Sequence, residues 1–317
     1  MLFARQCEES RTLRSRDVKT MSRTLTLTLS LVTGVALAQQ DFSQVQIQRT
    51  EVVDDLYMLM GAGGNLSLSV GSDGAFLVDD QYAPLSDKIL ASIAEVTDSD
   101  VKFLINTHFH EDHTGGNENI GRTGAIIVAH ENVRARMSTE QFREIFDQRI
   151  PASPSGALPI VTFPDRVNFY WNDTDIVVFH VPNAHTDGDV VITYPEKNVI
   201  QMGDVFNNGA YPFVDVSSDG SLNGIVAGVE HVLELPFLNA QTKIIPGHGA
   251  LASPADLRTY LEMTRTARDR IQSAIDRGLS EDEAVAANLM SEYDAEWGGG
   301  FMNPENFVRL AYQSLAQ

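Results

Sequence analysis

Three histidines and one aspartate stand within six residues of the chain, as His108, His110, Asp112 and His113. Alternate side chains of an extended segment point to the same side, so His108 and His110 can bind one ion together. Asp112 and His113 belong to the turn that follows and point at a second position. Neutral imidazole and carboxylate ligands suit Zn²⁺, and they also suit Fe or Mn. The pattern therefore predicts a metal site near residue 110.

Three further candidate ligands occur later in the chain, each where a predicted strand ends in a turn. They are His185, Asp204 and His248. Loops at strand ends are where a rigid scaffold places reactive side chains. We assign no metal to the other histidines, His130, His180 and His231.

The segments that must position these side chains alternate between strands and helices in the first half of the chain, and strands recur in the second half. Apolar runs predict short strands at 75–78, 101–105, 125–129, 168–171, 176–181, 190–194, 199–202 and 243–245. Helical spacing of apolar residues predicts helices at 84–97, 131–146, 221–235 and 256–277. A capping box at 280–283 and the pair Asn303-Pro304 predict two more helices. This pattern favours sheets covered by helices, an α/β architecture.

The composition excludes several classes of protein. Hydrophobic residues make up 43% of the chain and charged residues 21%, which is typical of a globular protein and not of a disordered chain, collagen or a coiled coil. The formal net charge of −20 repels phosphate backbones and anionic membranes, so we expect a small-molecule substrate and no nucleic acid. The single cysteine, Cys7, excludes a disulfide framework within the chain. No oligomeric state is predicted.

The first 38 residues have the pattern of a cleaved secretory signal. A basic stretch between Arg14 and Arg23 precedes an apolar run of about 15 residues, shorter than the ~20 needed to span a bilayer, that ends in Ala36-Leu37-Ala38. Met21 is an alternative start, which would make residues 1–20 an extension. We expect a signal peptide at 1–38, the main domain at 39–253 and a helical extension at 254–317 packed on the same domain. The expected location is the periplasm or the exterior, with no membrane attachment after cleavage.

These motifs, in this order across about residues 50–250, resemble the metallo-β-lactamase superfamily. The resemblance implies a four-layer αββα sandwich with extra C-terminal helices and a two-metal site in the groove between the sheets. It implies one zinc held by His108, His110 and His185. It implies a second zinc held by Asp112, His113 and His248, with Asp204 bridging the two.

The resemblance also implies roles for residues around the metals. Asp79, which ends a predicted strand, matches an acid that orients ligands from behind. We expect the loops Gly61–Asn65 and Asn207–Tyr211, near Gly63 and Asn207, to line the groove.

A two-metal site of this kind is typical of a hydrolase. Two neighbouring zinc ions, or Fe or Mn in their place, lower the pKa of a bridging water toward 7, and the resulting hydroxide attacks a carbonyl or phosphoryl group. Asp112 is the expected catalytic residue, which orients the hydroxide and passes on its proton. We expect the substrate to be a β-lactam amide, with promiscuous activity on other substrates and a role in antibiotic resistance.

Two residues depart from the best-known penicillin-hydrolysing class. Asp204 stands where that class has cysteine, and Asn207 stands where it has a lysine for the substrate carboxylate. The acidic bridge looks more like glyoxalase II and the lactonases, so a lactonase or thioesterase is the alternative. An iron-dependent persulfide dioxygenase is a further alternative. A di-iron reductase is disfavoured because His110 occupies a position that is usually acidic there.

Overall fold

Two β-sheets form the centre of the structure, a computed structural model that describes residues 41–317. The predicted secretory signal therefore lies outside the described residues. The strands of the first sheet and of a small hairpin are β1 (Gln48–Val53), β2 (Leu56–Met60), β3 (Leu66–Ser69), β4 (Ala75–Val78), β5 (Val101–Ile105), β6 (Ile126–His130), β7 (Gln141–Arg143), β8 (Gln148–Ile150) and β9 (Val161–Phe163). The strands of the second sheet are β10 (Arg166–Trp171), β11 (Thr174–His180), β12 (Val190–Tyr194), β13 (Val199–Gln201) and β14 (Lys243–Ile245).

The first sheet has the order β1-β2-β3-β4-β5-β6-β9, and the second has the order β10-β11-β12-β13-β14. Strands β4, β5, β6 and β9 run parallel to one another, as do β13 and β14, whereas the other neighbours are antiparallel. The remaining pair, β7 and β8, forms a separate antiparallel hairpin. Most of the predicted ligands lie just after the carboxyl ends of β5, β13 and β14.

Helices cover the outer faces of both sheets. The helices between Asp41 and Gln317 are α1 (Ser86–Ala94), α2 (Glu111–Thr114), α3 (Asn117–Gly121), α4 (Glu131–Met137), α5 (Leu222–Leu233), α6 (Pro254–Asp276), α7 (Glu281–Ala286), α8 (Asp294–Trp297) and α9 (Pro304–Leu315). None of the helices between Asp41 and Gln317 combines the length and the apolar character that spanning a bilayer requires.

The apolar side chains separate into layers that explain this arrangement. Between the sheets, Phe76 and Ile105 from the first pack with Ile192 and Ile245 from the second. The outer face of the first sheet packs against α1, and the outer face of the second packs against α5, α6 and α9. Each of these four helices buries one apolar stripe, as amphipathic helices on a sheet do. The expected four-layer αββα sandwich is thus confirmed.

The predicted helix at 131–146 is wrong beyond Met137. The hydroxyl of Ser138 donates to the carbonyl of Arg134 at 2.6 Å, and that of Thr139 donates to the carbonyl of Ala135 at 3.3 Å. Such hydroxyls compete with the helical hydrogen bonds and favour a helix end. The chain then turns back through β7 and β8, a hairpin that reaches the region above the candidate metal site.

Candidate metal centre

The seven predicted ligands lie on four loops that follow strands of both sheets. His108, His110, Asp112 and His113 follow β5. His185 follows β11, Asp204 lies in a single 3-10 turn after β13, and His248 follows β14. Because these strand ends meet at one edge of the sandwich, residues that are far apart in the sequence come together there.

The structure brings all seven side chains together in three overlapping groups. In each group the ligand atoms lie within 4.8 Å of one another. The groups are His108, His110 and His185; His108, His113 and Asp204; and Asp112, His113 and His248. The first and the third of these groups have the composition that the resemblance implies for the two metal positions.

Asp204 lies between the two positions. Its Oδ1 is 3.2 Å from His113 Nε2, and its Oδ2 is 3.4 Å from His248 Nε2 and 3.8 Å from His185 Nε2. Its place depends on Gly247, because a Cβ atom there would overlap Asp204 Oδ1. Asp204 therefore contacts histidines of both groups, as a bridging carboxylate must.

Three buried atoms in this cluster have no hydrogen-bond partner among residues 41–317. They are His108 Nε2, His113 Nε2 and Asp204 Oδ1, of which the last two lie 3.2 Å apart without forming a hydrogen bond. Buried polar atoms almost always have a partner, and an exception calls for an explanation such as an ion. Two imidazole nitrogens and a carboxylate oxygen are also good zinc donors. The residues present therefore fit a divalent metal ion.

Hydrogen bonds from behind direct one nitrogen of three of the imidazoles into the cluster. His113 Nδ1 donates to Asp79 Oδ2 at 2.8 Å, and His185 Nδ1 donates to the Phe213 carbonyl at 2.6 Å. His110 uses its other nitrogen, and its Nε2 donates to Asp215 Oδ2 at 2.9 Å. A ring that donates from one nitrogen in this way presents the lone pair of the other to a metal.

Asp79, which the resemblance implies to be an acid that orients ligands, lies behind His113. Its carboxylate is fully buried and accepts hydrogen bonds from the Thr107 amide at 2.8 Å and the Thr107 hydroxyl at 2.7 Å. Its backbone has a φ of +60°, in the left-handed region that aspartate tolerates better than most residues. Asp79 thus ties the start of the histidine segment to the end of β4.

The sequence did not predict the role of Asp215. This residue lies 105 positions after His110, and no motif joins the two. Burial opposes its charge, but hydrogen bonds from His110 and Ser217 hold its pKa below the ordinary value, so it is a carboxylate. The run Tyr211-Pro212-Phe213 lies close to His185, because the Phe213 carbonyl accepts a hydrogen bond from that residue. Nothing in this run of residues indicates the contact between Asp215 and His110.

The imidazoles and carboxyls of the cluster alter one another's pKa values. Burial lowers the pKa of His108 well below its ordinary value and that of His110 to about 4, so both are neutral. Burial also opposes the charges of Asp112 and Asp204, yet the nearby His113 and His248 lower the pKa of both carboxyls. These two carboxylates therefore need compensating positive charge, from protonated imidazoles or from metal cations.

A cavity of about 460 Å³ lies over the candidate metal centre. It is lined by the ligands His110, Asp112, Asp204 and His248. The two loops expected to line the groove contribute Ala62, Asn207 and Tyr211. The β7–β8 hairpin adds Arg143 and Gln148, and the C-terminal region adds 300–302. The sequence did not predict these last two contributions.

The family model for the metallo-β-lactamase superfamily matches residues 62–259. The match includes all seven candidate ligands and Asp79. The chain belongs to the metallo-β-lactamase superfamily. The resemblance inferred from the motifs is thereby confirmed.

One curated relative of this chain is named an alkylsulfatase. A linear primary-alkylsulfatase from Pseudomonas sp. (strain ATCC 19151) is 23% identical over 252 residues, which are 67% of this chain and 47% of the relative. The chain thus spans about half the length of that curated relative. Members of the superfamily, this relative included, are metal-dependent hydrolases, which is the class of enzyme that the sequence predicts.

Solved structures show the same fold. A metallo-β-lactamase from Pontibacter korlensis has a TM-score of 0.58 at 18% identity, covering 69% of this chain and 99% of its own. A stereoselective inverting sec-alkylsulfatase from Pseudomonas sp. has a TM-score of 0.62 at 15% identity, covering 84% of this chain and 50% of its own. At these identities the likeness concerns the fold alone.

Proposed function

We propose that this protein is a zinc-dependent hydrolase of small molecules, and that the bond it opens is the amide of a β-lactam. The observation that carries the hydrolase proposal is the convergence of seven ligand side chains beneath one cavity, with three buried donor atoms unpartnered. The β-lactam amide is supported by the family to which the chain belongs and by the likeness of its fold to a metallo-β-lactamase.

The donor set would hold two ions. His108, His110 and His185 would bind one, and the second would be bound by Asp112, His113 and His248, with Asp204 shared. Divalent ions at these positions supply positive charge that polarises a scissile carbonyl and makes a bound water nucleophilic at neutral pH.

Asp112 has the position of a proton carrier. Its side chain is 24% exposed and lines the cavity, whereas His108 and His113 are fully buried. Its Oδ2 lies 3.2 Å from His248 Nε2, so its orientation is defined. A carboxylate with one face toward the ligand cluster and one toward the substrate can orient the attacking water and pass a proton to the leaving nitrogen.

A sulfate ester is the second candidate substrate. The curated relative is named an alkylsulfatase, and the sec-alkylsulfatase structure matches a larger share of this chain than the metallo-β-lactamase does, 84% against 69%. The lactonase and thioesterase alternatives rest on an acidic residue, Asp204, at the expected bridging position, and the persulfide dioxygenase alternative rests on the shared fold alone.

One assay panel tests these proposals. The purified zinc-loaded protein is given a β-lactam, octyl sulfate, a lactone and a glutathione thioester, and an iron-loaded sample is given a persulfide. We expect β-lactam hydrolysis to be the fastest reaction. Faster release of sulfate would replace the β-lactam by the sulfate ester, and oxygen uptake without hydrolysis of any substrate would refute the hydrolase proposal.

We also propose that the protein is exported. The support is the signal pattern of residues 1–38. Fractionation of the producing cells, with N-terminal sequencing of the purified protein, is expected to find the mature chain outside the cytoplasm, beginning at Gln39. An unprocessed cytoplasmic chain would contradict this.

A further inference from the structure

Arg143 has a charged side chain without a partner. Its Nε atom is buried and has no hydrogen-bond partner, and its guanidinium forms no hydrogen bond or ion pair with any of residues 41–317. Every other arginine in that range forms at least one such contact. A partly buried guanidinium has a large desolvation cost unless an anion compensates it.

Arg143 lies at the mouth of the candidate active site. It ends β7 and lines both the 460 Å³ cavity and a neighbouring cavity of about 350 Å³. Its charge is close enough to the site to lower the pKa of His110, in addition to the larger effect of burial. Arg143 is therefore within reach of a molecule bound over the candidate metals.

None of the carboxylates that line these two cavities with Arg143 pairs with it; they belong to Glu111, Asp112, Asp204, Glu144 and Asp215. Asp215 shares the smaller cavity with it, but Asp215 Oδ2 accepts from His110 at 2.9 Å and Oδ1 accepts from the Ser217 amide at 3.1 Å. Asp112 faces His248 at 3.2 Å. The fold thus leaves the guanidinium available to an anion that enters the cavity.

An apolar surface lies beside this cation. Phe146, Phe213 and Phe301 form a cluster with ring centroids 5.4 to 5.9 Å apart. Phe301 is 74% exposed although it lines the cavity. An exposed ring at this position can pack against an apolar portion of a bound molecule.

We propose that Arg143 binds an anionic group of the substrate, a carboxylate or a sulfate, while Phe301 contacts its apolar portion. A planar guanidinium matches both anions through paired N–H donors. A local cation is needed because the chain has a net charge of −20, which disfavours anions elsewhere on its surface. The proposal deepens the proposed function by naming an amphiphilic anion as the substrate class, and it rests on that function only for turnover.

Binding of inert probes tests this independently of catalysis. Calorimetry on the zinc-loaded protein compares octanesulfonate and octanoate with the neutral octyl glucoside. We expect Arg143→Gln to weaken binding of at least one anion by tenfold or more, with octyl glucoside changed less than twofold. Arg143→Lys should recover part of the loss, because it keeps the charge without the paired donors. Phe301→Ala should weaken all three probes.

Arg149→Gln is the matched control. Arg149 lies on the same hairpin but pairs with Glu140 at 2.9 Å, and both side chains are exposed. It should leave all three affinities unchanged. Zinc content and the melting temperature of each variant are measured in parallel, so that loss of metal or of the fold is recognised.

The outcomes separate this proposal from the proposed function. If the wild type binds neither anion, or if Arg143→Gln binds both as the wild type does, the proposal is overturned. Equal loss of anionic and neutral probes would also overturn it, since that result indicates a structural role. If no substrate of the panel is hydrolysed but anion binding depends on Arg143, the proposed function fails and this proposal stands. Selective loss of octanoate points to a carboxylate, and selective loss of octanesulfonate points to a sulfate.

Discussion

Replacement of Asp215 by asparagine tests how the protein orients its candidate ligands. Asp215 accepts a hydrogen bond from His110 Nε2 at 2.9 Å, and this leaves His110 Nδ1 directed toward His108 and His185. The hydrogen-bonded carboxylate also makes the imidazole a better donor to a metal. An amide in its place carries no charge and offers a weaker acceptor.

The magnitude follows from the loss of one charge-assisted hydrogen bond. Such bonds contribute about 1.5–3 kcal/mol, and about 1.4 kcal/mol corresponds to a tenfold change in an equilibrium constant. Loss of a partner behind a metal ligand typically lowers metal affinity by about 10- to 100-fold. We therefore expect Asp215→Asn to weaken zinc binding at the position held by His110 by that factor.

Competition with a chelator of known zinc affinity measures this effect. Asp219→Asn is the control, because Asp219 is exposed on the same turn and pairs only with Arg136, at 2.7 Å. It should leave zinc affinity unchanged. If the competition curves of Asp215→Asn and the wild type superimpose, the role assigned to Asp215 is refuted.

Three further predictions follow from the site. Asp112→Ala should abolish turnover while circular dichroism shows an intact fold; near-normal rates would remove Asp112 from the mechanism. Nearby carboxylates raise the pKa of His248 to about 10 and that of His113 well above its ordinary value, against the effect of burial. Both imidazoles are thus protonated in the zinc-free protein at pH 7.5, so zinc binding should release about two protons and should strengthen as the pH rises. Calorimetry in buffers of different ionisation enthalpy measures the number of protons released. Zinc binding without proton release would contradict this prediction. The buried Tyr211 hydroxyl donates a hydrogen bond to Asp294 Oδ1 at 2.8 Å, so Tyr211→Phe should lower the free energy of unfolding by about 1–2 kcal/mol. The control Tyr170→Phe, at a position that is 75% exposed, should leave the free energy of unfolding unchanged.

Features set by neighbouring residues could be predicted from the sequence. The segment His108–His113 is local, so its types and spacing suffice to indicate metal binding. The capping box at 280–283 is local too, and the structure confirms it, with reciprocal hydrogen bonds between Ser280 and Glu283 at the start of α7. The alternation of strands and helices predicted sheets covered by helices, because buried elements of this kind have few ways to cover their apolar faces. The four layers of the sandwich were implied by the resemblance to the superfamily.

Features set by contacts through space could not be predicted. The strand order of each sheet depends on which edges meet, and the sequence does not record this directly. The helix at 131–146 was predicted from apolar spacing that continues past Met137, but the hydroxyls of Ser138 and Thr139 end the helix and allow the hairpin. The position of Arg143 at the cavity is a consequence of that hairpin, and so it was missed.

The central claim is that seven side chains from four loops hold two divalent ions. Elemental analysis of the purified protein, in the wild type and in His108→Ala, tests it most directly. We expect two zinc ions per chain in the wild type and fewer in the variant, because His108 belongs to two of the three ligand groups. A wild-type protein that binds no metal after incubation with zinc, or a variant with the same metal content, would contradict the claim.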